Sequence, residues 1–322
     1  MRRRALLAAL PGLLVAPRLR AQPAAWPTRP VRFINPFTAG SAVDVVTRLI
    51  AQDLAERLSA QVIVENRTGA SGNIGTEAVA RAPADGTTLL VGSPGTMGIN
   101  PFLFRTLPYD AVRDFTGVSH AVSFPQVMVV APNSSIRSLA DLVAAAKARP
   151  GALNYASSGN GTTSHLAFEL LRAAAGINMV HVPFRGGTPA IQAVMQGEVQ
   201  VALEGIPSLP GLLSAGQLRP VAVTSTERSA MLPQVPAVAE TVPGFDAAAW
   251  IIYFAPAGTP APLVELLSTE IRASLNRSSV RDRLLEQGAT VVGANPAATT
   301  AFHRAELDKW RRAVELSGAR VE

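Results

Sequence analysis

The stretch Val31-Arg-Phe-Ile-Asn-Pro-Phe-Thr-Ala-Gly-Ser-Ala-Val-Asp44 decides the fold class. Residues 31–35 read as a strand and 36–40 as a loop. A helix over 42–58 follows, because Val46, Leu49, Ile50, Leu54 and Leu58 recur at three- and four-residue spacing. Gly40 permits a tight backbone path. Ser41 can cap the helix, and Asp44, three residues on, can reach back as in a capping box. The alternation then continues with a short β-branched strand at 61–65, a glycine-rich turn at 69–75 and a helix at 74–82. Asp85-Gly86 turns the chain into a strand at 88–92. This βαβαβ order is the pattern of a parallel sheet.

A second region repeats the logic. Strands are expected at 126–131, 153–157, 179–182, 199–204 and 219–224. Helices are expected at 138–147, with Ser138 as N-cap and Asp141 three residues on, and at 163–175, 187–195 and 209–214. After proline-rich loops comes a strand at 250–254 and a helical tail at 260–275, 280–287 and 296–317. No internal repeat or long linker interrupts this order. Two compact α/β lobes are therefore expected, one from 22–125 plus 251–322 and one from 126–250. The strands near Gln126 and Trp250 are the natural crossovers. A cleft between lobes is where α/β folds bind ligands, at strand carboxyl ends.

The first residues bear on compartment and charge. Arg2, Arg3 and Arg4 precede an apolar run over 5–16, and Leu19-Arg20-Ala21 offers a cleavage site before Gln22. That order reads as a secretory signal peptide over 1–21, with the arginines loosely resembling a twin-arginine signal. The run of about 12 residues is shorter than the about 20 needed to span a bilayer. The chain carries 29 Lys+Arg against 23 Asp+Glu, a net +6. Five of those arginines lie in the signal, so the remainder has 24 against 23, a net +1. No basic stripe is left for nucleic acid. With no cysteine, disulfides and thiolate sites are ruled out. The apolar fraction of 48% supplies core for two lobes. A monomeric periplasmic protein is expected.

Two strand-to-helix loops could carry chemistry. The first is the 36–44 loop. The second is Tyr155-Ala-Ser-Ser-Gly-Asn-Gly-Thr-Thr-Ser-His165, which sets two glycines and several hydroxyls before a helix. Free N–H groups and the positive dipole end at a helix start suit an anion such as a carboxylate. Other chemistries fare worse. Gly159-Asn-Gly161 lacks the third glycine and the distal acid of a dinucleotide site. No phosphate-binding Gly-x-x-x-x-Gly-Lys loop and no Gly-x-Ser-x-Gly elbow is present. The four histidines show no helical metal pairing, so neither metal nor cofactor is expected. His165 could serve as a base for Ser157 or Ser158, but a ligand-orienting or helix-capping role is the better reading. Glu204, at a strand end, could accept a ligand ammonium. Phe37 could floor the pocket, and Tyr155, Phe184 and Trp250 are core candidates.

At these loops the sequence resembles the receptors of tripartite tricarboxylate transporters, the Bug family. The resemblance runs along nearly the whole chain after the signal. It rests on Trp26-Pro-Thr-Arg-Pro-Val-Arg32, Pro36-Phe37 with Gly40 and Asp44, Val64-Glu-Asn-Arg-Thr-Gly-Ala70, Gly72-Asn-Ile-Gly75, Asp85-Gly86, Ile99-Asn-Pro101 and Tyr109-Asp110. Further on it rests on Ser157-Ser-Gly-Asn-Gly-Thr162 with His165-Leu166, His181-Val-Pro-Phe-Arg-Gly186, Leu218-Arg219, Ala222-Val-Thr224, Ala255-Pro-Ala-Gly-Thr-Pro260 and Lys309-Trp310. The resemblance implies a type II periplasmic binding fold, two α/β lobes joined by two crossover strands with the ligand cleft between. It implies a receptor, not an enzyme, that clamps a small carboxylate and delivers it to integral membrane transporter subunits. Carried over by position, it points to Phe37, Thr38, Gly40, Ser41 and Asp44, and to Ser157, Ser158, Gly159, Gly161, Thr162 and His165. Two positions depart from the family pattern. Thr38-Ala39-Gly40-Ser41 stands where Pro-Pro-Gly-Gly is usual, and Glu204 stands where Asp is usual. The alternatives are a ligand sensor for a membrane kinase and, from another class, a Ser/His hydrolase.

Overall fold

The computed structural model describes residues 26–321, so the expected signal peptide lies outside the described residues. In chain order the strands are β1 (Val31–Asn35), β2 (Val62–Asn66), β3 (Thr88–Gly92), β4 (Phe115–Phe124), β5 (Gln126–Val130), β6 (Asn154–Ser157), β7 (Val180–Pro183), β8 (Val201–Gly205), β9 (Arg219–Val223), β10 (Ala249–Pro256) and β11 (Thr290–Val291). The helices are α1 (Ala42–Leu58), α2 (Asn73–Ala80), α3 (Asn100–Leu103), α4 (Leu139–Ala148), α5 (Thr163–Ala175), α6 (Gly187–Gln196), α7 (Pro210–Ser214), α8 (Ala261–Asn276), α9 (Ser278–Glu286) and α10 (Pro296–Ser317).

The strands form two sheets. The first has order β11-β4-β10-β3-β1-β2 and the second β7-β6-β8-β5-β9. β1, β2 and β3 are parallel, with Ile34 opposite Leu90 and Glu65, and β6 is parallel to both β7 and β8. Strand alternation sorts each sheet's side chains to two faces. Met128 and Val130 of β5 meet Leu142 of α4 and Phe168 of α5, whereas Val127 and Val129 meet Ile191 of α6 and Leu209. In the first sheet Phe33 and Val91 meet Ile50 of α1 and Leu267 of α8, and Ile34 and Leu90 meet Val79 of α2. Each sheet is thus buried between helices, the architecture expected of a two-lobed α/β protein.

One feature departs from expectation. The 10-residue strand β4 was not anticipated, because Phe115-Thr-Gly-Val-Ser-His-Ala-Val-Ser-Phe124 mixes polar and apolar residues without a period. Its buried polar groups are satisfied from afar. Ser119 donates to the Ala294 carbonyl at 2.9 Å, and the His120 N–H donates to Thr299 Oγ1 at 2.8 Å. The two crossovers expected near Gln126 and Trp250 do join the lobes, with β4 of the first sheet running through Pro125 into β5 of the second. β5 lies wholly in the second sheet and β10 wholly in the first, where Trp250 pairs with Ser123. The chain passes outward at Pro125, which has no N–H to offer either sheet. It returns just after Ala247, whose N–H donates to the Thr224 carbonyl.

α10 makes a third tie. Its Leu307 packs with Ile252 and Phe254 of the first lobe, and its Trp310 and Val314 pack with Phe168 and Leu171 of the second. The buried Glu306 carboxylate accepts both indole N–H groups, from Trp250 at 2.6 Å and Trp310 at 2.8 Å, and pairs with Lys309. Removing one partner of a buried charged network leaves the others unmatched, at about 3–5 kcal/mol. Glu306→Ala is therefore expected to lower unfolding stability by about 3 kcal/mol or more, measured by urea denaturation followed through tryptophan emission. A loss under about 1 kcal/mol would show that the helix holds the lobes by apolar packing alone.

Candidate functional site: a cleft between two helix-start loops

The loop between β1 and α1 is pinned from behind. Ser41 is the N-cap, its Oγ accepting the Asp44 N–H at 3.3 Å. Asp44 does reach back, but to the Gly40 N–H at 2.9 Å, one residue earlier than in a capping box. Its carboxylate also accepts Arg48 Nε at 2.9 Å, Asn66 Nδ2 at 2.8 Å and Asn35 Nδ2 at 3.2 Å. Burial alone would push this carboxyl up. The bonds from Arg48, Gly40, Asn66 and Asn35 outweigh it and hold Asp44 well below the usual carboxylate range. Asn66 also donates to the Phe37 carbonyl at 3.0 Å, and the Phe37 N–H goes to Asn35 Oδ1. The helix-start N–H groups of Ala42 and Val43 have no intrahelical partner. Because Ser41 Oγ accepts from within, its own proton is free to be donated outward.

The loop between β6 and α5 is pinned likewise. Ser157 Oγ lies 2.6 Å from His181 Nε2 and accepts the Gly159 N–H at 3.2 Å. The Ser158 N–H donates to Ser164 Oγ, and Thr162 Oγ1 donates to the Gly159 carbonyl. The Gly161 N–H donates to His165 Nδ1 at 3.1 Å, so His165 takes the capping role. Gly161 has φ +72°, and a Cβ there would lie 2.4 Å from Leu103 of the facing lobe. Glycine alone fits that approach.

Both loops line one cavity of about 580 Å³, open to the cleft. Of the residues expected to bind ligand, Phe37, Thr38, Ser41, Gly161 and Thr162 line it. Gly40, Asp44, Ser157, Ser158, Gly159 and His165 stand behind the loops as their internal partners. Glu204 lies elsewhere. It lines a separate cavity of about 420 Å³ against Gly187, Ile191 and Leu209, takes the Gly205 N–H at 2.9 Å, and is pushed up by burial. It is therefore not brought to the cleft, since α6 and the 206–212 segment lie on the opposite face of the second sheet from α5.

Several lining residues were missed. Ser93 to Gly95 follow β3, a parallel strand ending at the same sheet edge as β1, so the strand-end rule already applied to β1 would have found them. Asn160 and Thr163 lie inside the second loop. Ser71 and Asn100 were hidden because a remote network places them, in which Asn100 Nδ2 donates to Asn73 Oδ1 at 2.7 Å and to the Ser71 carbonyl at 3.0 Å. Phe124 and Trp250 close the hinge side. Among the described residues, none that line this cavity carries a formal charge, and no group of three or more His, Cys, Asp or Glu could hold a metal ion. No helix among them is long and apolar enough to cross a membrane.

Two α/β lobes with paired helix-start loops around one cleft define a solute-binding protein of the periplasmic-binding class. The chain belongs to the tripartite tricarboxylate transporter receptor family, whose model matches residues 46–318. It is 36% identical to BugT of Bordetella pertussis over 98% of each chain. Among solved structures, R. palustris Rpa4515 with adipate is 36% identical, with TM-score 0.78, over 92% of this chain and 100% of that one. MatC from Rhodopseudomonas palustris with bound malate is 32% identical, with TM-score 0.74, over 90% and 100%.

His120, His165 and His303 are buried and His181 is half-buried, and this desolvation holds each below its usual range, with His120, His165 and His181 at about 4. In the unfolded chain they titrate near about 6.5. Between these values the unfolded state binds more protons, so stability is full above about pH 6.5 and falls as pH drops toward 4. Melting temperatures from pH 7.5 down to 4.5 should trace that fall; a flat profile would mean the histidines are solvated.

Proposed function

We propose that the protein is an exported periplasmic receptor that captures a small carboxylate in this cleft and delivers it to the membrane subunits of a tripartite tricarboxylate-type transporter. It would act as a monomer, with the first lobe running to Pro125 and resuming near Ala249, and its lobes would close by rotation about those two passages. The observation that carries this reading is the uncharged cavity flanked by two helix starts. Helix N-termini, with hydroxyls of Thr38, Ser41 and Thr163, can neutralise a carboxylate without a cationic side chain. The adipate and malate held by the two R. palustris relatives support a ligand of that class.

A hydrolase reading is weaker for a geometric reason. The close serine–histidine pair is Ser157 with His181, not a pair with His165, and Ser157 is 0% exposed. A nucleophile so placed cannot meet a substrate in the cleft.

Calorimetric titration with malate, adipate, acidic amino acids and aromatic acids should give saturable one-to-one binding by at least one, without turnover. No binding across that panel would sink the reading. Because no cation lines the cavity, raising salt from about 50 to 500 mM should change the affinity by less than about threefold. Glycine replaces serine at an N-cap at a cost of a few tenths of a kcal/mol. Ser41→Gly should therefore leave the melting temperature nearly unchanged and weaken binding about tenfold, the loss of one hydrogen bond to a charged group.

A further inference from the structure

The second loop rests on two histidines that no ligand-facing role explains. The His165 and His181 rings lie face to face, 3.8 Å between centroids and 7° from parallel, and Tyr155 stacks against both. Each ring holds one end of the loop. His165 Nδ1 accepts the Gly161 N–H, so that nitrogen carries no proton and the proton of the neutral ring sits on Nε2. His181 Nε2 is 2.6 Å from Ser157 Oγ, which also accepts the Gly159 N–H and lies 3.1 Å from the Gly159 carbonyl. An Nε2–H on His181 satisfies that cluster, since Ser157 Oγ then accepts two N–H groups and donates its own proton to Gly159 O.

The surroundings keep both rings neutral. The charged groups that bear on them are Glu169 and Arg172 of α5, and Tyr155 of β6 supplies the facing hydroxyl. Glu169, whose Oε1 lies 4.0 Å from His165 Nε2, favours the charged rings, but it is shared with the Tyr155 hydroxyl and with Arg172 at 2.7 Å, whose positive charge and the burial of the rings outweigh it. Two imidazolium rings at stacking distance would repel each other in a buried site.

We infer that the stacked pair His165–His181 is the positioning element of the second ligand loop: it ties up the Gly159 and Gly161 N–H groups from behind and leaves the donors of Asn160 and Thr163 as the ones that face the ligand. The histidines themselves touch no ligand. This rests on the reading that the loop binds a carboxylate, but the tie itself does not. Protonating His165 Nδ1 sets donor against donor at Gly161, and the loop must shift.

The test uses amide hydrogen exchange and amide NMR on the ligand-free full chain, with malate and adipate as binding probes. His165→Leu removes the acceptor, and His165→Asn restores one near Nδ1. His181→Leu and His181→Gln do the same for Nε2. The leucine variants should lose at least tenfold in protection at Gly161 or Gly159 and at least tenfold in probe affinity, and the amide variants should recover both. In the wild type, the Gly161 amide signal should move together with the His165 ring signals as pH falls toward 4, a readout that survives if a leucine variant does not fold. Unchanged Gly161 protection in His165→Leu, or a Gly161 amide that ignores His165 titration, would overturn the inference. Affinity lost with protection intact would also overturn it, by showing that the histidine contacts the ligand. If the wild type binds no carboxylate, the receptor reading fails while the protection data still decide this one.

Discussion

The site depends on a constraint set at Asp44. A carboxylate at 2% exposure survives only if its lone pairs are met, and here Gly40, Arg48, Asn66 and Asn35 meet them. These partners come from the loop, the helix, the end of β1 and the neighbouring strand β2. One buried anion therefore fixes the position of α1 relative to the sheet and the path of residues 36–41. The negative charge also sits beside the helix N-terminus, where the dipole favours it. A ligand bound in the cleft would not have to organise this loop on arrival, so less of its binding energy would be lost to ordering.

The second loop solves the same problem with the opposite tool. There the buried partners are neutral rings, and the groups they hold are the glycine N–H donors. Both loops thus spend some of their donors internally and present the rest. The result is a cleft that offers oriented dipoles and hydroxyls with no mobile cation. Such a lining discriminates by shape and donor geometry more than by net charge. Trp250 joins the cleft to the rest of the molecule. It lines the cavity, and its indole is held with that of Trp310 by Glu306 on a helix whose far end packs in the second lobe.

What was legible in the sequence was local. β1, α1 and the cap at Ser41 follow from spacing and neighbours a few residues apart, and α10 follows from its periodicity. β4 was not legible, because its serine and histidine are paid off by Ala294 and Thr299, about 175 residues away. The same limit governs the site. That two helix starts would face a cleft could be read from the strand–loop–helix order. Which of their residues look outward could not, since Asp44 finds Asn66 and Ser157 finds His181 only in three dimensions. Glu204 was placed correctly near a strand end, but the face of the sheet on which its cavity opens is a property of the packing of α6.

The most direct measurement is mass spectrometry of the small molecule released by denaturing the protein as purified from its native cells. A cleft built as described should release a compound bearing at least one carboxylate and small enough for a cavity of about 580 Å³. Release of a cationic or neutral solute with no carboxyl group would contradict it, because nothing in paired helix starts and hydroxyls would then explain the capture.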